Sequence, residues 1–243
     1  MVAWVVHAIT TIIVRLWLSL SADSWRRLPR PIDEPTVRID GPEGDDHHPD
    51  QLLVAGSGAV VGYGVLSYRL TVSGELARMV AEQTGRGVVL DLVVGPDLSL
   101  ARCRRELSEL PIGGYDAVLL SVGSVDALLL LPIHRWRRDL GRLLDLVQSQ
   151  CSPRMPVVLQ AIPPLLALVQ LPWPYRTAID NRYRAFNAIS QELAAQREHV
   201  TFLRFDPPAI DLIANAGRQV HIVWAALLAP AVSAALGGRH GAP

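Results

Sequence analysis

From residue 51 onward, short apolar runs alternate with longer amphipathic stretches. Leu52-Leu53-Val54-Ala55 runs into Gly56-Ser57-Gly58, with Gly62 and Gly64 close behind. An apolar run of strand length ending in glycines predicts a buried strand followed by a sharp turn. Apolar runs at 88–94, 117–122, 157–162 and 200–205 predict four more strands. The run at 117–122 is unbroken, as expected of a strand covered on both faces. Between these runs, apolar positions recur at spacings of three and four. Leu76, Met79 and Val80 share a face of a helix over 74–83, and Leu140, Leu143, Leu144 and Val147 do so over 134–150. Helices are likewise predicted over 100–110, 175–197 and 218–236. Five strands alternating with helices imply right-handed crossovers and a parallel sheet. The predicted fold is α/β, a three-layer α/β/α sandwich with a five-stranded parallel sheet in flavodoxin-like order.

The first 50 residues follow a different pattern. Residues 1–20 are strongly apolar, interrupted by His7 and Arg15, and Arg26, Arg27 and Arg30 follow. A run of about this length suits a helix that spans a membrane or lies on its surface. Residues 1–27 are therefore read as an apolar N-terminal helix and a candidate membrane anchor. The arginines after it would keep the following domain in the cytoplasm, at the inner face of the membrane. A buried helix packed on the domain is the alternative. Residues 28–50 mix Pro29, Pro31, Pro35 and Pro42 with Asp33, Glu34, Asp40, Glu43, Asp45 and Asp46. That composition reads as an exposed linker. The main domain covers 51–236, and a frayed tail covers 237–243.

Composition narrows the function classes. Half of the 243 residues are hydrophobic, enough for one substantial core. Lys+Arg and Asp+Glu number 23 each, so no basic field points to nucleic acid. Cys103 and Cys151 lie far apart and match no metal-ligand spacing, so separate thiols are expected. His47-His48 lacks further ligands at defined spacing and reads as solvated loop. Neither a metal nor a cofactor is expected. The glycines after the first strand are also a weak match to a dinucleotide fingerprint. No helix starts at that turn, however, and Asp91 falls inside the second strand rather than at its end.

Taken collinearly over about 51–236, these segments resemble the SGNH hydrolases, the GDSL-type esterases and lipases. Val54-Ala55-Gly56-Ser57-Gly58 resembles the family's first block, where a strand ends in Gly-Asp-Ser. Gly95 resembles the second-block glycine, and Gly123-Ser124-Val125-Asp126 the third block, usually Gly-x-Asn-Asp. Trp136-Arg137-Arg138-Asp139-Leu140, Ile162-Pro163-Pro164, Leu171-Pro172-Trp173-Pro174 and Trp224-Ala225 resemble later segments of an actinobacterial-looking branch. The resemblance implies hydrolysis of an ester or acyl bond by a serine nucleophile. A histidine would act as base, oriented by an Asp three residues before it. It also implies an oxyanion site made by a backbone N–H at the serine turn, the second-block glycine N–H and the third-block Asn amide.

This sequence departs from the pattern at each catalytic block. Ser57 stands where the family has Asp, and Gly58 occupies the nucleophile position. Val125 replaces the Asn, while Asp126 is retained. No Asp-x-x-His precedes the last helix: Asp211 is followed by Leu212, Ile213 and Ala214. The resemblance with these substitutions implies a catalytically degenerate hydrolase. Two alternatives remain open. One is an active esterase with a displaced site of Ser57, His221 and Asp211. The other is a non-catalytic scaffold, membrane-associated or binding a small ester, acyl or glycan ligand in a cleft lined by Gly58, Gly95, Gly123 and Val125. Leu128 to Leu131 and Leu165 to Trp173 would flank that cleft as packed loops, or line an apolar groove or membrane contact.

Overall fold

The computed structural model of the chain describes residues 28–41, 48–150, 155–163, 175–205 and 218–240. The expectations for residues 1–27, Leu165 to Trp173, Cys151, Asp211 and the last three residues of the tail lie outside that range.

Six strands form the sheet: β1 (Thr36–Ile39), β2 (Asp50–Gly56), β3 (Val88–Val94), β4 (Ala117–Ser121), β5 (Val157–Gln160) and β6 (Val200–Leu203). Their spatial order is β1-β3-β2-β4-β5-β6. The five strands from β2 on are mutually parallel, in the 2-1-3-4-5 order of a flavodoxin-like sheet. β1 adds an antiparallel edge strand on β3, with Val37 opposite Leu90.

The helices are α1 (Val72–Thr84), α2 (Leu100–Ser108), the short α3 (Ser124–Leu128), α4 (Ile133–Gln150), α5 (Tyr175–Ala195) and α6 (Arg218–His240). Alternation along β2 assigns the two faces. Leu53 and Ala55 join the core under α2, α4 and α5, whereas Leu52 and Val54 join the core under α1 and α6. The residues Arg218–Gly238 of α6 are long and apolar enough to cross a membrane, with mean hydropathy 1.8. Val220, Trp224, Ala225, Leu228, Val232 and Leu236 are buried in the second core, so that apolar face packs inside the domain.

The reading of 28–50 as an exposed linker needs correction over 28–41 and 48–50, the part of it that is described. Val37 is buried, Pro35 O accepts from Leu92 N at 2.9 Å, and Asp50 is buried against Arg86 at 2.9 Å. Val37 and Ile39 alternate with Thr36 and Arg38, the pattern of a one-sided strand, and the pairing covers an edge of β3 that would otherwise be open. Among the described residues the sheet therefore has six strands, not five. The leucines at 128–131 follow the packed alternative: Leu128 is buried, and Leu129, Leu130 and Leu131 pack against the first core. Leu130 takes φ 52°, and Arg182 Nη1 donates to Leu131 O at 2.7 Å.

Candidate functional site

In a parallel sheet of this order, ligand sites form beyond the carboxyl ends of the strands. Three strand ends meet there. β2 ends at Gly56, whose φ of 146° no L-residue adopts comfortably, and a Cβ at Gly56 would overlap the Ser121 carbonyl. The close approach ties β2 to β4: Ser57 N donates to Ser121 O at 2.8 Å, and Ser121 Oγ donates to Ser57 O at 3.3 Å. Ser57 therefore continues the strand pairing in extended conformation (φ −139°, ψ −179°). It does not stand at the tip of the turn. Its side chain is fully buried, and its Oγ has no hydrogen-bond partner.

Gly58 follows at φ 77° and opens a 3-10 turn over Gly58–Val61. The resemblance assigns the nucleophile to this position. A Cβ built there would lie 3.0 Å from Ser124 Oγ, so the hydroxyl of the neighbouring turn fills the space beside it. Gly95, at the end of β3, donates its N–H to Gly56 O at 3.2 Å. That donor, which the resemblance assigns to the oxyanion, is engaged within the sheet. Gly123 takes φ 101° at the end of β4, in contact with Trp136 and Ile162. Trp136 stacks on Phe186 at 4.3 Å, and its Nε1–H donates to Phe186 O at 3.2 Å, which fixes the wall behind Gly123. Val125 is half-buried and offers no amide.

Asp126 is buried, and its Oδ2 accepts from Leu100 N at 2.9 Å. The carboxylate thereby caps the start of α2, where helix N–H groups and the helix dipole favour an anion. Burial pushes its pKa up to about 6, against the opposing effect of the backbone donors. Asp126 acts as a structural cap joining β4 to α2.

His221 lies in the first turn of α6 and is buried. Its Nε2 is 3.0 Å from Tyr63 O. A carbonyl only accepts, so Nε2 carries the proton and Nδ1 is the bare lone pair. Nδ1 is buried and has no partner. Burial holds the imidazole below its usual pKa, despite the opposing effects of the Tyr63 carbonyl and Glu75. No hydrogen bond links His221 to Ser57, and Asp211 lies outside the described residues. The structure thus brings Ser57, Gly58, Gly95, Gly123, Val125 and Asp126 to one edge of the sheet, but does not join Ser57 to His221.

Sequence reasoning missed the other polar groups at this edge. Ser124 was the unassigned residue of the third block, and Ser121 and Gln160 were hidden as the last residues of apolar strands. The Gln160 side-chain amide is buried with neither of its atoms partnered. No group of three or more His, Cys, Asp or Glu suited to a metal occurs among the described residues. Cys103 is a free core thiol whose pKa burial pushes up to about 12.

A glycine-serine turn after the first parallel strand, a glycine after the second and a Gly-x-x-Asp turn after the third define an SGNH-type α/β/α hydrolase fold. Residues 54–228 match the GDSL-like Lipase/Acylhydrolase family, and the chain belongs to that family. Among solved structures, TesA superposes with a TM-score of 0.56 at 15% identity, covering 76% of this chain and 99% of TesA. The lipase/acylhydrolase from Enterococcus faecalis gives 0.56 at 14% identity, covering 76% of this chain and 96% of that one. The salicylyl-acyltransferase SsfX3 of a tetracycline biosynthetic pathway gives 0.53 at 15% identity, covering 78% of this chain and 56% of that one. At these identities the likeness is one of fold. No curated protein matches the chain.

Proposed function

We propose that this chain is a catalytically degenerate member of the GDSL-like family, retaining the hydrolase fold as a scaffold at the inner face of a membrane. The observation that carries this reading is the state of the serine turn. The nucleophile position is Gly58, with Ser124 Oγ filling the adjacent space, and the nearby Ser57 hydroxyl is buried and unpartnered. Acyl transfer needs a nucleophile within hydrogen-bond reach of its base and donors aimed at the developing oxyanion. The His221 Nε2 proton is directed at Tyr63 O, the Gly95 N–H is engaged by Gly56 O, and Val125 offers no side-chain donor. Loss of nucleophile or base alone removes nearly all the benefit of a triad in serine hydrolases. The apolar composition of residues 1–20, with Arg26 and Arg27 behind it, supports the membrane location.

The test is hydrolysis of short- and medium-chain p-nitrophenyl esters by the full chain, alongside Ser57→Ala, with mass spectrometry after treatment with a serine-directed phosphonate. The expected result is no rate above background and no labelled serine. A rate abolished by Ser57→Ala, or phosphonate on Ser57, would establish the displaced-site esterase instead.

A further inference from the structure

The two most exposed large hydrophobic side chains among the described residues, Ile32 and Leu66, are 86% and 59% exposed. They stand side by side: Ile32 N donates to Leu66 O at 3.3 Å. Neither belongs to a loose loop. Asp33 accepts from Ser67 Oγ at 2.7 Å and from Tyr68 N at 3.0 Å, and Gly64 N donates to Pro29 O at 2.8 Å. The Pro31 ring packs closely on Gly62, 3.0 Å from where a Cβ would stand. The segment 29–33 is thus fastened to the loop 62–68 at several points, with both apolar side chains left facing water.

These residues border an open groove of about 550 Å³ lined by Leu28, Pro31, Ile32, Leu66, Val94 and Pro96, with Gly95 in its wall. The groove lies at the carboxyl end of β3, beside the serine turn. Two arginines lie close by in sequence: the exposed Arg30 two residues before Ile32, and Arg69 three residues after Leu66, whose Nη2 donates to Arg38 O at 2.9 Å. The nearby acids are Asp33, whose carboxylate is engaged by the Ser67 and Tyr68 donors, and the exposed Glu34 and Asp97, the latter next to Pro96 in the groove wall.

The chain supplies the reason for a particular occupant. Leu28, at the start of this segment, itself lines the groove, and the strongly apolar residues 1–20 lie upstream of it. From residue 20 to Leu28 the chain can span no more than about 29 Å even when fully extended. Whatever surface takes up residues 1–20 therefore lies within that distance of Leu28, which lines the same groove as Ile32 and Leu66. Arg26 and Arg27 fall in that interval and Arg30 just after it, and arginines near an exposed apolar pair favour an anionic lipid surface.

We infer that the Ile32–Leu66 face docks on an anionic lipid bilayer, turning the carboxyl edge of the sheet toward the membrane. This rests on the membrane location proposed above and adds the orientation of the domain. An amphiphile reaching the groove would then come from the bilayer rather than from the bulk solution.

The test uses the full chain carrying Cys151→Ser, with an environment-sensitive fluorophore on Ile32→Cys, on Leu66→Cys or, as a control, on Glu198→Cys. Glu198 is exposed just before β6, at the opposite edge of the sheet, and the native Cys103 is buried away from the reagent. Each protein is mixed with equimolar phosphatidylcholine–phosphatidylglycerol vesicles, and sedimentation is measured on the same samples. The expected result is co-sedimentation, with a blue shift and about a twofold or greater rise in emission at positions 32 and 66 and none at 198. Co-sedimentation with unshifted labels at 32 and 66 would overturn the docking face and leave the membrane location standing. Failure to sediment, with no shift anywhere, would overturn both.

Discussion

Asp126 illustrates how a residue of a catalytic block can persist for structural reasons. Its carboxylate receives the Leu100 N–H at the start of α2, in a buried setting without a hydrogen-bonded cation. Burial raises its pKa from 3.8 to about 6 in the folded chain. Between those values the folded state holds a proton that the unfolded state has released. The contribution of this group to stability therefore grows as pH falls through about 6, and shrinks again as pH rises. Asp126→Asn keeps an acceptor but cannot titrate. Wild type should gain melting temperature relative to Asp126→Asn between pH 7.5 and pH 5, measured by thermal denaturation in one buffer series. A constant gap across that range would show that Asp126 does not titrate there. Asp126→Ala removes the cap altogether and should cost about 1–2 kcal/mol at pH 5, and less at pH 7.5, where the buried carboxylate is charged. The mixed signal at this position follows from the chemistry, because a buried acid at a helix start has one sequence signature whether it caps a helix or serves a reaction.

At the scale of elements, the parallel sheet was legible because each strand is an apolar run and each helix between them has a 3.6-residue period. The second strand was placed at Val88–Val94, where it is found. β1 was not legible. It has four residues among prolines and acids, and only Val37 and Ile39 carry its apolar face. Its partner strand lies some fifty residues downstream, and local composition holds no trace of that pairing. Its importance is testable. Val37 is 1% exposed and joins the core under α1, so Val37→Asp places an unpaired charge in that core. The expected cost is about 3 kcal/mol or more, read as a lower urea midpoint. Arg38→Ser, on the exposed side of the same strand, should stay within about 0.5 kcal/mol of wild type. Equal midpoints for Val37→Asp and wild type would return the segment to the status of a linker. The edge strand also holds the segment 28–35 on the domain, next to the groove beside Gly95.

For the whole molecule, the question is whether activity could be regained by correcting two of the substitutions visible in sequence. Gly58→Ser with Val125→Asn would restore the residue types of the first and third blocks. The sequence made those two departures plain, because they are side-chain replacements at recognised offsets. Ser57 at the Asp position and the missing Asp-x-x-His before the last helix are equally plain in sequence; the other obstacles are hydrogen bonds and packing distributed over several elements, which residue type does not reveal. The Gly95 N–H is held by Gly56 O, and the His221 Nε2 proton faces Tyr63 O. A serine at position 58 would also enter the left-handed region at φ 77°, with its Cβ 3.0 Å from Ser124 Oγ. A triad acts as a unit, so supplying one member without an available base yields little. The expected outcome for the double variant is therefore no p-nitrophenyl ester turnover above that of the parent chain. It should also lose about 1–2 kcal/mol of stability from the strained position. Adding Ser124→Gly should recover part of that stability by clearing the space beside residue 58, still without turnover. Ester turnover in either variant, sensitive to a phosphonate that labels residue 58, would mean that a base and an oxyanion site are already in place and that the degeneracy is confined to two side chains.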